Sequence, residues 1–136
     1  MIFLDTDVLL DVAWQRDPWY IAAADLLTLI HDGDLRGGTT PVVLTNVYYL
    51  LSRENSEKVA TGFISRLLLL LEFIPVERTD YQLAFDSSFK DKEDAINSYA
   101  AYSAGCTTIV TRNVRDFHPS TLAVMTADEF LQHRLL

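Results

Sequence analysis

The sequence predicts an α/β fold, specifically a three-layer α/β/α sandwich with a mainly parallel central sheet. Three observations predict it. Short strand-like apolar runs alternate with longer stretches of three- and four-residue apolar spacing, the pattern of parallel strands joined by crossover helices. Helix-start signals recur ahead of several of those longer stretches. Finally, 136 residues without a repeat, low-complexity tract or linker suit one domain, residues 1–136, large enough to bury a core.

Taken in order, residues 2–5 read as a buried strand and 7–14 as a first helix. Asp17-Pro18 reads as an N-cap acid with proline at the first helical position. The helix it would open carries Ile21, Ala24, Leu27 and Ile30, and Gly33 closes it. Residues 35–39 form a short strand, after which Thr40-Pro41 repeats the cap-plus-proline start. Asn55 or Ser56 caps the next helix. Residues 73–76 are a strand that Pro75 places near an edge. Thr79-Asp-Tyr-Gln82 has the form of a capping box, residues 88–93 are a polar loop, and 94–104 an alanine-rich helix closed by Gly105. Thr107 to Thr111 is the most strand-like segment. Residues 122–125 are a last strand, and Thr126-Ala-Asp-Glu129 is a second capping box that opens the C-terminal helix.

Composition narrows the class. Hydrophobic residues at 49% and charged residues at 22% are ordinary for a globular chain. A single cysteine, Cys106, excludes an intramolecular disulfide and a multi-thiolate zinc site, and suits a reducing cytoplasm. No basic region precedes an apolar stretch at the start, so no signal peptide is expected, and the longest apolar run, Leu67 to Leu71, is too short to span a bilayer. The net charge of −8 argues against a high-affinity nucleic-acid binder acting alone. It leaves room for a nuclease whose acids are neutralised locally by a divalent cation.

Chemistry concentrates in acids at predicted strand ends and helix starts. Asp5 ends the first strand, where an open parallel sheet binds its ligands. Asp94 sits in a first helical turn, and Asp116 follows the strand ending at Thr111. Three such carboxylates at one sheet edge could hold a hard divalent cation for phosphodiester hydrolysis. Asp7 reads as the N-cap of the first helix, Asp11 as a solvated helix residue, and Asp91 with Glu93 as a capping and solubility cluster. Thr111 and Asn113 can hold metal-bound water or shape the turn, while Arg112 and Arg115 can meet an RNA phosphate or the acids themselves. His31, His118 and His133 are not spaced as a metal set.

Three segments carry a family resemblance: Phe3-Leu-Asp5-Thr-Asp7-Val-Leu-Leu-Asp11, Glu93-Asp94-Ala-Ile96 with its alanine-rich helix, and Gly105-Cys-Thr-Thr-Ile-Val-Thr-Arg-Asn113-Val-Arg-Asp116-Phe117. With them the chain resembles the PIN domains, in particular the VapC-type toxin ribonucleases, over almost its whole length. The resemblance implies a Mg2+- or Mn2+-dependent endoribonuclease that hydrolyses RNA phosphodiesters with metal-activated water. It implies Asp5, Asp94 and Asp116 as the catalytic metal ligands, an RNA substrate, an antitoxin partner in a type II pair, and a homodimer. Two positions depart from the pattern. Asp7 stands where many members have Asn, and Asn46 stands where the family usually places a glutamate. An amide brings no charge and cannot act as a base, so a weaker site, a single-ion site and lost activity are all open.

Two other classes compete. A degenerate PIN domain would only bind a protein or RNA partner, with Asn46 as its support. The run ending Asp5-Thr-Asp7-Val-Leu9 also resembles the nucleophile motif of haloacid-dehalogenase-like phosphatases, in which Asp5 would attack phosphorus. No basic residue between the two acidic motifs is marked out for the phosphate such an enzyme must grip.

Overall fold

The structure is a computed structural model that describes residues 1–135. At its centre is a five-stranded, all-parallel sheet of β1 (Ile2–Leu4), β2 (Gly37–Thr39), β3 (Glu72–Phe73), β4 (Thr108–Val110) and β5 (Ala123–Met125), in the order β3-β2-β1-β4-β5. The helices are α1 (Thr6–Ala13), α2 (Tyr20–His31), α3 (Pro41–Glu54), α4 (Glu57–Leu70), α5 (Arg78–Phe85), α6 (Lys92–Ser103) and α7 (Ala127–Arg134). They cover the sheet to give the three-layer α/β/α sandwich that the alternating sequence predicts.

The strand order places the chemistry. From β1 the chain steps outward one way to β2 and β3, then returns to the other side of β1 with β4 and β5. The order therefore reverses between β1 and β4, and a crevice opens beyond the carboxyl ends of these two strands. Asp5 and Thr111 are the residues that follow them. Ile2, Phe3, Leu4, Ile109 and Val110 are buried, which makes the strands beneath the crevice part of the core. The Thr39 hydroxyl donates to the Leu4 carbonyl at 2.8 Å and locks β2 beside β1. Gly38 permits the close approach of β3, because a β-carbon there would lie 2.9 Å from the Glu72 carbonyl oxygen.

Local signals account for most of the helix starts. Thr40 accepts from the Val43 amide and Ser56 from the Val59 amide, while Thr126 and Glu129 form their capping box reciprocally. Two starts differ from expectation. Asp17-Pro18 lies in a turn, and α2 begins later, at Tyr20, after an N-cap Trp19 that offers no side-chain cap. The turn is held from behind: the Arg16 amide and side chain both reach back to Asp11, and the Arg16 carbonyl accepts from Tyr20. In α5 the cap is Glu77, whose amide donates to Asp80 at 2.8 Å, so the helix opens before the Thr79-to-Gln82 box. Strand β3 is also shorter than residues 73–76, stopping ahead of Pro75 at the sheet edge.

Candidate metal centre

Asp5 leaves β1 as the N-cap of α1, the role the sequence suggested for Asp7. One carboxylate oxygen accepts from the Thr6 amide at 2.8 Å, and the other from the Thr111 hydroxyl at 2.8 Å. Only 5% exposed, Asp5 is pushed up to about 7 by burial, with the neighbouring charge of Asp7 adding to it. Each oxygen thus accepts one hydrogen bond, which fixes the group's orientation and leaves further lone pairs on the side that lines the cavity. Asp7, in the first turn, accepts from the Arg112 amide at 3.1 Å through Oδ2. Its Oδ1 is buried without a partner, and burial raises this carboxyl too.

Thr111 ties the two strand ends together. Its hydroxyl donates to Asp5 and accepts from the Asn113 amide at 3.0 Å, folding residues 111–113 over the acids. Thr111 and Asn113 therefore shape the turn.

The opposite wall is built on α6 and α3. Asp91 caps α6 by accepting from the Asp94 amide at 3.0 Å, which confirms its capping role and starts the helix at Lys92. Asp94, in that first turn, is pushed up to about 7 by burial first, then by the charges of Asp5, Asp91, Asp116 and Asp7. Asn46, on α3, donates through Nδ2 to Glu93 Oε1 at 2.7 Å. One turn beyond Asp94, the buried Asn97 accepts from the Thr40 hydroxyl at its carbonyl oxygen.

These walls enclose an open cavity of about 480 Å³ lined by Asp5, Asp7, Asn46, Asp91, Glu93 and Asp94, among others. Asp116 lies outside it. A short 3-10 turn, Val114–Phe117, anchored by the fully buried Phe117, sets Asp116 in a neighbouring depression with Lys90, Arg115 and His118. Asp91 lines both depressions, so Asp116 acts on Asp94 across a shared wall. Among the described residues, no three His, Cys, Asp or Glu side chains are already gathered as an ion-holding group. The carboxylates share a cavity rather than a ready-made coordination sphere.

The donor set nevertheless suits a hard divalent cation. It consists of oxygens, its charges oppose one another, and Asp7 Oδ1 has no other partner. No cluster of soft ligands competes, since Cys106 is buried and burial pushes its thiol up to about 11.

Two readings change in this region. Asp11 is not solvated: at 1% exposed it accepts from Arg16 at 2.9 Å and from Arg112 at 2.9 and 3.0 Å. The Arg112 guanidinium, 3.9 Å from the centre of the Trp19 ring, is therefore a tie between α1 and the turn after β4. Arg115 is exposed and lines the Asp116 depression. Sequence reasoning missed Arg16 and Asn97 as cavity residues, and it set Glu93 aside as part of a capping and solubility cluster. Asn97 had a usable signal, because its three-residue spacing from Asp94 puts both on one helix face.

Comparison with known proteins agrees with this fold. The family model described as PIN domain matches residues 1–115. The chain is 30% identical over 96% of its length, and 93% of the relative's, to Ribonuclease VapC1 of Aquifex aeolicus (strain VF5). Among solved structures it resembles VapBC2 from Rickettsia felis, bound to a DNA fragment from their promoter, with TM-score 0.68 and 19% identity over 92% of this chain and 97% of that one. It also resembles a toxin–antitoxin complex from Klebsiella pneumoniae, with TM-score 0.70 and 18% identity over 93% and 98%. The chain belongs to the PIN domain family.

Proposed function

We propose that this chain is a divalent-metal-dependent endoribonuclease and the toxin of a toxin–antitoxin pair, acting as one domain. The observation that carries the proposal is the cavity at the carboxyl edge of a parallel sheet that Asp5, Asp7, Asp91, Glu93 and Asp94 line together. Asp5, Asp94 and Asp7 would hold the cation, with Asp116 contributing across the shared wall. An all-oxygen set points to magnesium or manganese. When bound, such an ion activates water and neutralises charge on the phosphoryl oxygens.

The protein's own groups do the positioning. Thr111 holds Asp5 by a single hydroxyl proton, and the Arg112 amide holds Asp7. The first-turn position of Asp94 favours the carboxylate form through the helix dipole, offsetting part of the burial cost. Arg115, beside Asp116 and exposed, is the cation placed to meet an RNA phosphate. Ribonuclease activity is the printed activity of the 30%-identical relative, which supports RNA as substrate.

An antitoxin partner is supported by the likeness to a toxin–antitoxin complex. A homodimer is supported by the apolar side chains that α3 and α4 leave exposed, Tyr48, Tyr49, Leu68 and Leu69, whereas Leu67 and Leu71 belong to the core. Among the described residues no helix is long and apolar enough to cross a membrane, and the lone buried thiol suits a reducing cytoplasm.

The test is cleavage of structured and single-stranded RNA with Mn2+, by the wild type and by Asp94→Asn. We expect metal-dependent cleavage that falls at least about 100-fold in the variant. No metal-dependent cleavage under any condition, or equal cleavage by both proteins, would sink the enzymatic claim. Sedimentation as a monomer would remove the dimer.

A further inference from the structure

Asn46 leaves the α3 side of the cavity without the negative charge that the resemblance places there, and the structure shows a carboxylate arriving from elsewhere. We propose that Glu93 supplies it: the acid that faces the divalent cation from this side is carried by α6, and Asn46 is the positioning residue that holds it. The inference rests on the metal-dependent reading above.

The contact itself is specific. A carboxylate only accepts, so the amide nitrogen of Asn46 must be the atom that faces Glu93 Oε1, at 2.7 Å. Glu93 Oε2 has no protein hydrogen bond among the described residues. Both side chains line the same cavity as Asp5 and Asp94. Glu93 directly precedes Asp94 in the first turn of α6, where unpaired amides favour anions. Its two methylenes give it reach toward α3, which an aspartate at that position would lack. Lys92 cannot neutralise it, because its ammonium donates instead to the carbonyls of Ser87 and Phe89 at 3.0 Å. The pair thus delivers one negative charge beside Asn46 while leaving one carboxylate oxygen free of protein donors.

Exchanging the two positions tests this. Mn2+ would be titrated calorimetrically, without RNA, into wild type, Glu93→Gln, Asn46→Glu/Glu93→Gln and Asp94→Asn, with thermal melts in chelator as the folding control. Glu93 is exposed, so Glu93→Gln is expected to melt like the wild type. Glu93→Gln should weaken Mn2+ binding about tenfold, and adding Asn46→Glu should recover most of that loss. Wild-type affinity in Glu93→Gln, or a loss that Asn46→Glu does not recover, would overturn the inference. If Asp94→Asn also binds Mn2+ like the wild type, or the wild type binds none, the metal-dependent reading fails with it. Loss in Asp94→Asn alone would sink only the assignment of Glu93.

Discussion

The two walls of the cavity are built in opposite ways. On the β1/β4 side, Asp5, Asp7 and Thr111 are held by short hydrogen bonds to one another and to backbone amides, over strands buried in the core. On the α3/α6 side, Asp91 and Glu93 are exposed side chains that a helix start and one amide contact put in place. The first wall is part of the fold. The second is laid over it. Acids on the outer wall are placed by a helix start and a side-chain contact, whereas those on the inner wall are set by the sheet.

Titration should give the largest effect, and it reaches one acid of each wall, which limits the contrast to the exposed Asp91 and Glu93. Folding raises Asp5 and Asp94 to about 7, from an ordinary value of 3.8, chiefly by burial. Each therefore binds a proton more tightly folded than unfolded. The stabilisation this brings is fully present below pH 3.8 and is lost as pH rises through about 7. Melting of the chelator-treated protein should register that loss, Asp5→Asn and Asp94→Asn should each flatten it, and Mn2+ at pH 8 should raise the melting temperature. Unchanged slopes in both variants would show that neither carboxyl carries the effect.

Next in size is the inner wall's anchor. Asp11→Ala would leave Arg16 and Arg112 without their shared buried carboxylate, and should destabilise the fold by roughly 3 kcal/mol in urea denaturation. Both arginines retain some contact with water, which holds the cost toward the low end of that range. Thr111→Val removes the donor to Asp5 and should cost about 1–2 kcal/mol, while weakening Mn2+ binding. A Thr111→Val protein with wild-type stability and Mn2+ affinity would mean that the inner wall is less preorganised than its hydrogen bonds imply.

The same division explains what could be read from the sequence. The β1 run, the Thr40, Ser56 and Thr126 caps and the alternation of elements were legible because each is a local signal that its own neighbours satisfy. Asp11 was not, because the partner that buries it, Arg112, lies 101 residues away. Asp17-Pro18 failed for a local reason: Arg16 reaches back five residues to Asp11, and residues 17–19 form a turn ahead of α2. The N-cap role expected for Asp7 falls to Asp5, which keeps an extended backbone and accepts from the Thr6 amide, while Asp7 lies in the first turn. The position of Asp116 depends on the burial of Phe117, which tips the following turn into a separate depression.

The smallest expected effect separates two arginines that the sequence treats alike. Arg112 is held by Asp11 and Trp19, whereas Arg115 forms no ion pair among the described residues and faces the open depression beside Asp116. Binding of a single-stranded RNA oligonucleotide, measured across salt concentrations in an Asp94→Asn background to prevent cleavage, should tell them apart. Arg115→Gln should weaken binding a few-fold and reduce the salt slope by about 0.7, the value for one phosphate contact on a single strand, without altering stability. Arg112→Gln should instead lower stability and leave that slope nearly unchanged, because its charge is already spent on a buried carboxylate. Equal slopes in the two variants would place both guanidiniums in the path of the RNA, and the tie between α1 and the β4 turn would then serve binding as well as folding.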